Sequence, residues 1–132
     1  MKLLLDTHLL LWAAEFDPAK ASALSAETIG LLNDPANDLF FSAASVWEVT
    51  IKNGLGRDTF KVDPGVLRRG LVDNGYLELL ISSDHAVAVG SLPNHHKDPF
   101  DRLLVAQATV EGFTLLTSDP LVAAYPGPIR RV

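Results

Sequence analysis

The chain contains no cysteine. That excludes disulfides, zinc–thiolate and iron–sulfur centres and any thiol nucleophile, and it agrees with a reducing compartment such as the cytoplasm. A long hydrophobic run is missing too. No stretch approaches the ~20 apolar residues of a membrane-spanning helix, so no membrane association is expected. Met1–Ala14 is apolar, but Asp6 and His8 interrupt it and no small-residue cleavage site follows. It therefore reads as a buried strand running into a helix rather than as a secretory signal. Positive charge is not in excess either. The formal net charge of −5 disfavours broad attraction to nucleic acid. It leaves room for a nucleic-acid enzyme whose bound divalent metals offset carboxylates in a cleft. No histidine pair has the helical spacing of a zinc site.

With 132 residues, 48% of them apolar and 20% charged, the chain fits one globular domain over residues 1–132, able to bury a core without cross-links. No repeat, low-complexity tract or long linker divides it. Lys2–Asp6 is a nearly continuous apolar run, as expected of a strand buried on both faces. Helices are predicted over Thr7–Ala14, Ala19–Asn33, Ala44–Asn53, Pro64–Asn74, Asp84–Ser91 and Pro99–Glu111, with a helical turn at Pro120–Ala124. Further strands are predicted over Asp38–Ser42, Leu77–Ile81 and Thr114–Thr117, and an edge strand over Ile129–Val132. Strands alternating with helices imply an α/β fold with a central, mostly parallel sheet flanked by helices. Such sheets bind ligands in the crevice at the carboxyl ends of their strands.

Acids gather at that kind of position. Asp6 ends the first strand, Asp119 follows the Thr114–Thr117 strand, Asp98 and Asp101 open the helix at Pro99, and Glu48 lies early in the helix after Asp38–Ser42. Convergent carboxylates there suit a hard cation such as magnesium, which activates water and neutralises charge on a phosphodiester. Capping competes with this explanation. Asp98-Pro99 and Asp119-Pro120 read as an N-cap followed by proline, and Ser45-Val46-Trp47-Glu48 as a capping box. Asp6 is the exception, since packing does not explain an acid closing an apolar strand. Spacing alone leaves several metal-dependent phosphate-handling folds open.

Four segments narrow the choice. Leu3-Leu4-Leu5-Asp6-Thr7-His8 resembles the opening of PIN domains. The run from Ser42 to Lys52, the run His96-Lys97-Asp98-Pro99-Phe100-Asp101-Arg102-Leu103-Leu104-Val105-Ala106-Gln107-Ala108, and Leu115-Leu116-Thr117-Ser118-Asp119 resemble the family's second, third and fourth motifs, in family order. Within the superfamily the chain most resembles VapC-type toxins of toxin–antitoxin pairs. The resemblance implies a single PIN-like domain and RNA phosphodiester hydrolysis. It implies magnesium, with manganese as an alternative, a homodimer, and inhibition by a small cognate antitoxin. By position it makes Asp6, Glu48, Asp101 and Asp119 the catalytic and metal-site acids. Asp98 belongs to a variant of the motif found in part of the family and is placed as a cap and supporting group. The implied reaction is in-line attack of water on the phosphodiester, leaving a 5′-phosphate and a 3′-hydroxyl.

Around this site, the Thr117 hydroxyl is read as bonding a metal-bound water or the Asp119 carboxylate, with an ordinary strand threonine as the alternative, and Arg102 beside Asp101 is read as facing the cleft or pairing with an acid. Lys52, one turn after Glu48, fits a surface i,i+4 ion pair. Trp47 and Ile51 read as core. Leu9, Leu10, Leu11 and Trp12 exceed what one helix face needs, so part of this run is assigned either to the core or to a dimer or antitoxin groove. His8 reads as helix-start packing or as reaching the site rim, and His95, His96 and Lys97 as an exposed loop, with contact to RNA phosphate as the alternative. Three alternatives accompany the toxin reading: an RNA-processing PIN nuclease, a receiver-like magnesium-binding signalling domain, and a non-catalytic binding module. The receiver reading wants paired acids at the first strand end and a lysine after a late strand. Here Leu5 precedes Asp6, and no lysine follows Asp119.

Overall fold

The computed structural model describes residues 1–14, 24–55, 61–94 and 97–132. In chain order the elements are β1 (Lys2–Leu5), α1 (Thr7–Ala13), α2 (Ala26–Asn33), β2 (Asp38–Ser42), α3 (Ala43–Gly54) and α4 (Pro64–Asp73). They continue with β3 (Leu77–Leu79), α5 (Ser83–Val89), α6 (Pro99–Glu111), β4 (Thr114–Thr117), α7 (Pro120–Ala123) and β5 (Ile129–Arg131). The strands form one sheet in the order β3-β2-β1-β4-β5, every pairing parallel. The fold is thus α/β, as its alternating pattern requires, and β5 is the expected edge strand.

The apolar run of β1 is explained by its place at the centre. Successive strand residues point to opposite faces. Leu3 and Leu5 join the layer formed by Leu9, Leu10 and Leu11 of α1, Val49 of α3 and Leu67 and Leu71 of α4. Leu4 joins the opposite layer, formed by Leu104, Val105 and Ala108 of α6 with Val122 of α7. Leu115 and Leu116 of β4 divide between the two layers in the same way. The leucines of α1 are therefore core residues and not a partner's groove, with Trp12 packed partly buried against them.

Among the described residues, Asp-Pro pairs start three helices. Asp63, Asp98 and Asp119 each accept backbone N–H groups of the first turn while proline, lacking an N–H, occupies the opening position. Gly112 ends α6 at φ 73°, a left-handed conformation that glycine adopts without a Cβ clash.

Three boundary shifts have a visible local cause. α2 begins at Ala26, because Ser25 caps it by accepting the Thr28 N–H; residues 19–23 of the expected helix lie outside the described residues. β3 stops at Leu79 rather than Ile81, since the chain turns there toward the Ser82 cap of α5. α3 starts two residues before the expected cap: Ser42 accepts the Ala44 N–H, leaving Ser45 inside the helix. Trp47 and Ile51 are corrected as well. Trp47 is 55% exposed, and Ile51 is also exposed, because Val49, Ala44 and Ser45 form the face of α3 turned inward.

Candidate active site

β1 is flanked by β2 on one side and β4 on the other, so the chain reverses its direction of travel across the sheet between β1 and β4. The carboxyl ends of these two strands open the crevice characteristic of such a switch point. Asp6 stands at the end of β1. Its Oδ1 accepts the Leu9 N–H at 2.9 Å and caps α1, while its Oδ2 accepts the Thr117 hydroxyl, at the end of β4, at 2.6 Å. Thr117 Oγ1 in turn accepts the Asp119 N–H at 3.0 Å. One threonine therefore ties the first and fourth acids of the sequence pattern together. Asp119 Oδ1 accepts the Leu121 N–H, so its capping role is real and coexists with its place at the crevice. Burial pushes the Asp6 carboxyl above the usual carboxylate range. The hydrogen bonds from Thr117 and Leu9 and the charge of His8 oppose that rise, and the neighbouring Asp119 adds to it.

The second acid of the pattern lies on α3, which is tied to the start of α1. Thr7, next to Asp6, donates its hydroxyl to Ser45 Oγ at 2.9 Å, both groups being buried. Glu48 lies three residues beyond Ser45, on the same helix face. Only 2% of Glu48 is exposed. Its Oε2 accepts Lys52 Nζ at 2.6 Å, whereas its Oε1 is buried without any hydrogen-bond partner. The capping-box explanation of Glu48 is therefore overturned, since the helix starts earlier. The ion pair with Lys52 does form, but its acidic half is buried rather than on the surface.

Asp101 is buried at the start of α6. The residues just before it and before Glu48 meet: Trp47 and Phe100 pack edge to face, 5.2 Å between ring centres. Asp98 acts as the α6 cap, its Oδ1 accepting the N–H groups of Phe100 and Asp101. Arg102 does not join this group. Its Nη1 donates to the Pro93 carbonyl and the Tyr125 hydroxyl, and its Nη2 to the carbonyls of Val89 and Leu92. It ties the end of α5 and the following loop to α6. His8 is exposed beside Trp12, and His95 and His96 lie outside the described residues.

The sequence offers Ser45 only as a cap and does not single out Thr7; their hydrogen bond joins the start of α1 to α3. A second buried polar group was likewise silent. Ser42 Oγ donates to Gln107 Oε1 at 2.5 Å, and His85 links Gln107 Nε2 to Glu111.

Among the described residues no three acidic or histidine side chains converge closely enough to hold a metal ion as they stand. Asp6, Glu48 and Asp119 are instead each tied to a donor of the protein. The donor set nevertheless fits a divalent cation of the hard, oxygen-seeking kind. A buried carboxylate oxygen without a partner is costly, and Glu48 Oε1 is such an atom on the helix face next to Asp6 and Thr7.

The chain matches the family model for the PIN domain over residues 3–127. No curated protein matches it significantly by sequence. Among solved structures it is similar to VapBC2 from Rickettsia felis bound to a promoter DNA fragment, at 15% identity and a TM-score of 0.67 over 99% of this chain and 98% of the other. DNA-bound VapBC from Salmonella typhimurium is similar at 14% identity and a TM-score of 0.64, again over 99% and 98%. VapBC-1 from nontypeable Haemophilus influenzae follows at 15% and 0.60 with the same coverage. At these identities the structures establish a shared fold. The family match covers nearly the whole chain and displaces the receiver-like reading, and with it the chain is shown to belong to the PIN domain family, a family of nucleases.

Proposed function

We propose that this PIN domain, spanning residues 1–132, is a magnesium-dependent endoribonuclease toxin of the VapC type, acting in the cytoplasm. The observation that carries the reading is the burial of three of the four motif acids, Asp6, Glu48 and Asp101, at 2%, 2% and 8% exposure, with Asp6 at the end of β1 beside β4. Buried carboxylates are stable as anions only when neutralised, and a divalent cation neutralises several at once. Family membership supports divalent-metal chemistry. Magnesium, or manganese in its place, fits an all-oxygen donor set.

Asp6, Glu48, Asp101 and Asp119 are the groups that would hold such an ion. When bound, it would polarise the phosphate and stabilise charge on the leaving oxygen. The protein's own part is positioning. Thr117 fixes the Asp6 carboxylate through Oδ2, and the Leu9 amide fixes it through Oδ1. The Thr7–Ser45 bond sets α3, and so Glu48, against the end of β1. The low-dielectric surroundings of these acids strengthen every charge interaction made there.

RNA is the substrate that the resemblance to VapC toxins implies. The VapBC neighbours favour a small antitoxin as partner, and the same resemblance favours a homodimer. The test is cleavage of total RNA by the purified protein with magnesium, with chelator, and after Asp101→Asn. Cleavage is expected only with metal and only with Asp101, giving 5′-phosphate and 3′-hydroxyl ends. Undiminished cleavage by a folded Asp101→Asn protein overturns the assignment.

A further inference from the structure

Glu48 is a buried carboxylate whose charge is balanced from its own helix. Lys52, one turn on, places Nζ 2.6 Å from Oε2, and its side chain is 34% exposed while that of Glu48 is 2% exposed. Among the described residues Glu48 is the hydrogen-bond partner of that ammonium, and no other holds it. The opposite carboxylate oxygen, Oε1, has none. Half of this carboxylate is thus occupied by a cation on a flexible stem that reaches solvent, and half is bare toward the interior. Breaking the pair frees the ammonium to swing into water at little cost, because a lysine head group is readily hydrated and its stem is already partly outside.

We propose that Lys52 is a displaceable internal cation of the metal pocket: it neutralises Glu48 in the metal-free protein and is driven off by the incoming divalent ion. This rests on the metal-dependent reading above. An ion approaching Oε1 meets a like charge at Oε2, on the same carboxyl group. Two cations on one buried carboxylate repel strongly at low dielectric, and only the ammonium has a route to solvent. The lysine holds the fold together when metal is scarce. It also weakens metal binding, and so raises the metal concentration at which the site fills. Lys52 is accordingly a positioning residue, acting through Glu48.

The experiment is calorimetric titration of the metal-free full chain with manganese and with magnesium at fixed pH. It compares wild type with Lys52→Met, Lys52→Gln, Lys52→Arg and a charge control, Lys61→Met. Lys52→Gln retains an N–H donor toward Glu48 and guards against loss of folding, which circular dichroism checks. The two neutral variants are expected to bind metal roughly fivefold to tenfold more tightly, between the effect of a fully exposed ion pair and that of a fully desolvated one. Lys52→Arg is expected near wild type, and Lys61→Met within about twofold because exposed charges are screened. Thermal melts give a second readout. Lys52→Met melts below wild type in chelator, and saturating metal closes that gap. A gap of equal size with and without metal, or neutral variants that bind metal no more tightly, overturns the proposal while leaving the metal site intact. A wild-type protein that binds neither ion overturns both.

Discussion

Thr117 donates its hydroxyl to Asp6 and accepts the backbone N–H of Asp119, so a single side chain at the end of β4 joins two acids that belong to opposite ends of the chain. Thr117→Val keeps the shape of the side chain and removes both bonds. It leaves a buried carboxylate oxygen and an amide without partners, and a loss of about 1–3 kcal/mol is expected in urea denaturation. Thr117→Ser restores the hydroxyl and is expected to recover most of it. A valine variant as stable as wild type contradicts the arrangement.

Asp6 supplies a pH signature. Burial raises its folded-state value above the unfolded one, so the folded state binds its proton more tightly. The associated stability is fully present below the unfolded value of 3.8 and is lost as pH rises through the folded value. Asp6→Asn lacks this term, and asparagine still caps α1. In chelator, the melting temperature of Asp6→Asn minus that of wild type should therefore increase from pH 4 to pH 7. A difference that stays flat or shrinks refutes the sign.

Arg102 offers a test of position. Its guanidinium serves three carbonyls and the Tyr125 hydroxyl, and it lies over the Tyr125 ring. Lysine cannot reproduce this fork. Both Arg102→Met and Arg102→Lys are expected to lose about 2–4 kcal/mol of unfolding free energy, with metal affinity unchanged in calorimetry. Weaker metal binding by a folded Arg102→Lys protein would place the residue at the crevice after all.

The outward position of Trp47 makes it cheap to remove. Its edge contact with Phe100 is worth about 0.5–1.5 kcal/mol, whereas truncating the fully buried Phe41 costs about 3–5 kcal/mol. Parallel urea melts of Trp47→Ala and Phe41→Ala check the ordering. Equal losses would return Trp47 to the core.

The strand–helix alternation was legible because burial on both faces leaves an uninterrupted apolar run, as in Leu3-Leu4-Leu5, and because Asp-Pro pairs mark helix starts. Asp6 stood out for the same reason: nothing in packing calls for an acid there. Glu48 was harder. Its spacing to Ser45 fits a capping box, and only the actual start of α3, set by Ser42, shows that the motif is inside the helix and the carboxylate buried. The aromatic and aliphatic residues of α3 were misplaced because the face this helix buries is lined by small and polar residues, Ala44, Ser45 and Glu48 together with Val49. Arg102 was ambiguous for a related reason: adjacency to Asp101 fixes its place on α6 but not its direction, which the carbonyls of the preceding loop determine.

Asp6 and Thr117 are 111 residues apart in sequence, and β1 cannot pair with β4 until nearly all of the intervening chain has been made. Synthesis proceeds from the N-terminus, so a growing chain carries Asp6 long before the threonine that orients it. The contact that orients Asp6 is thus made only after the chain through β4 exists. On the nuclease reading proposed above, a chain broken off before β4 carries its first acid with nothing to orient it.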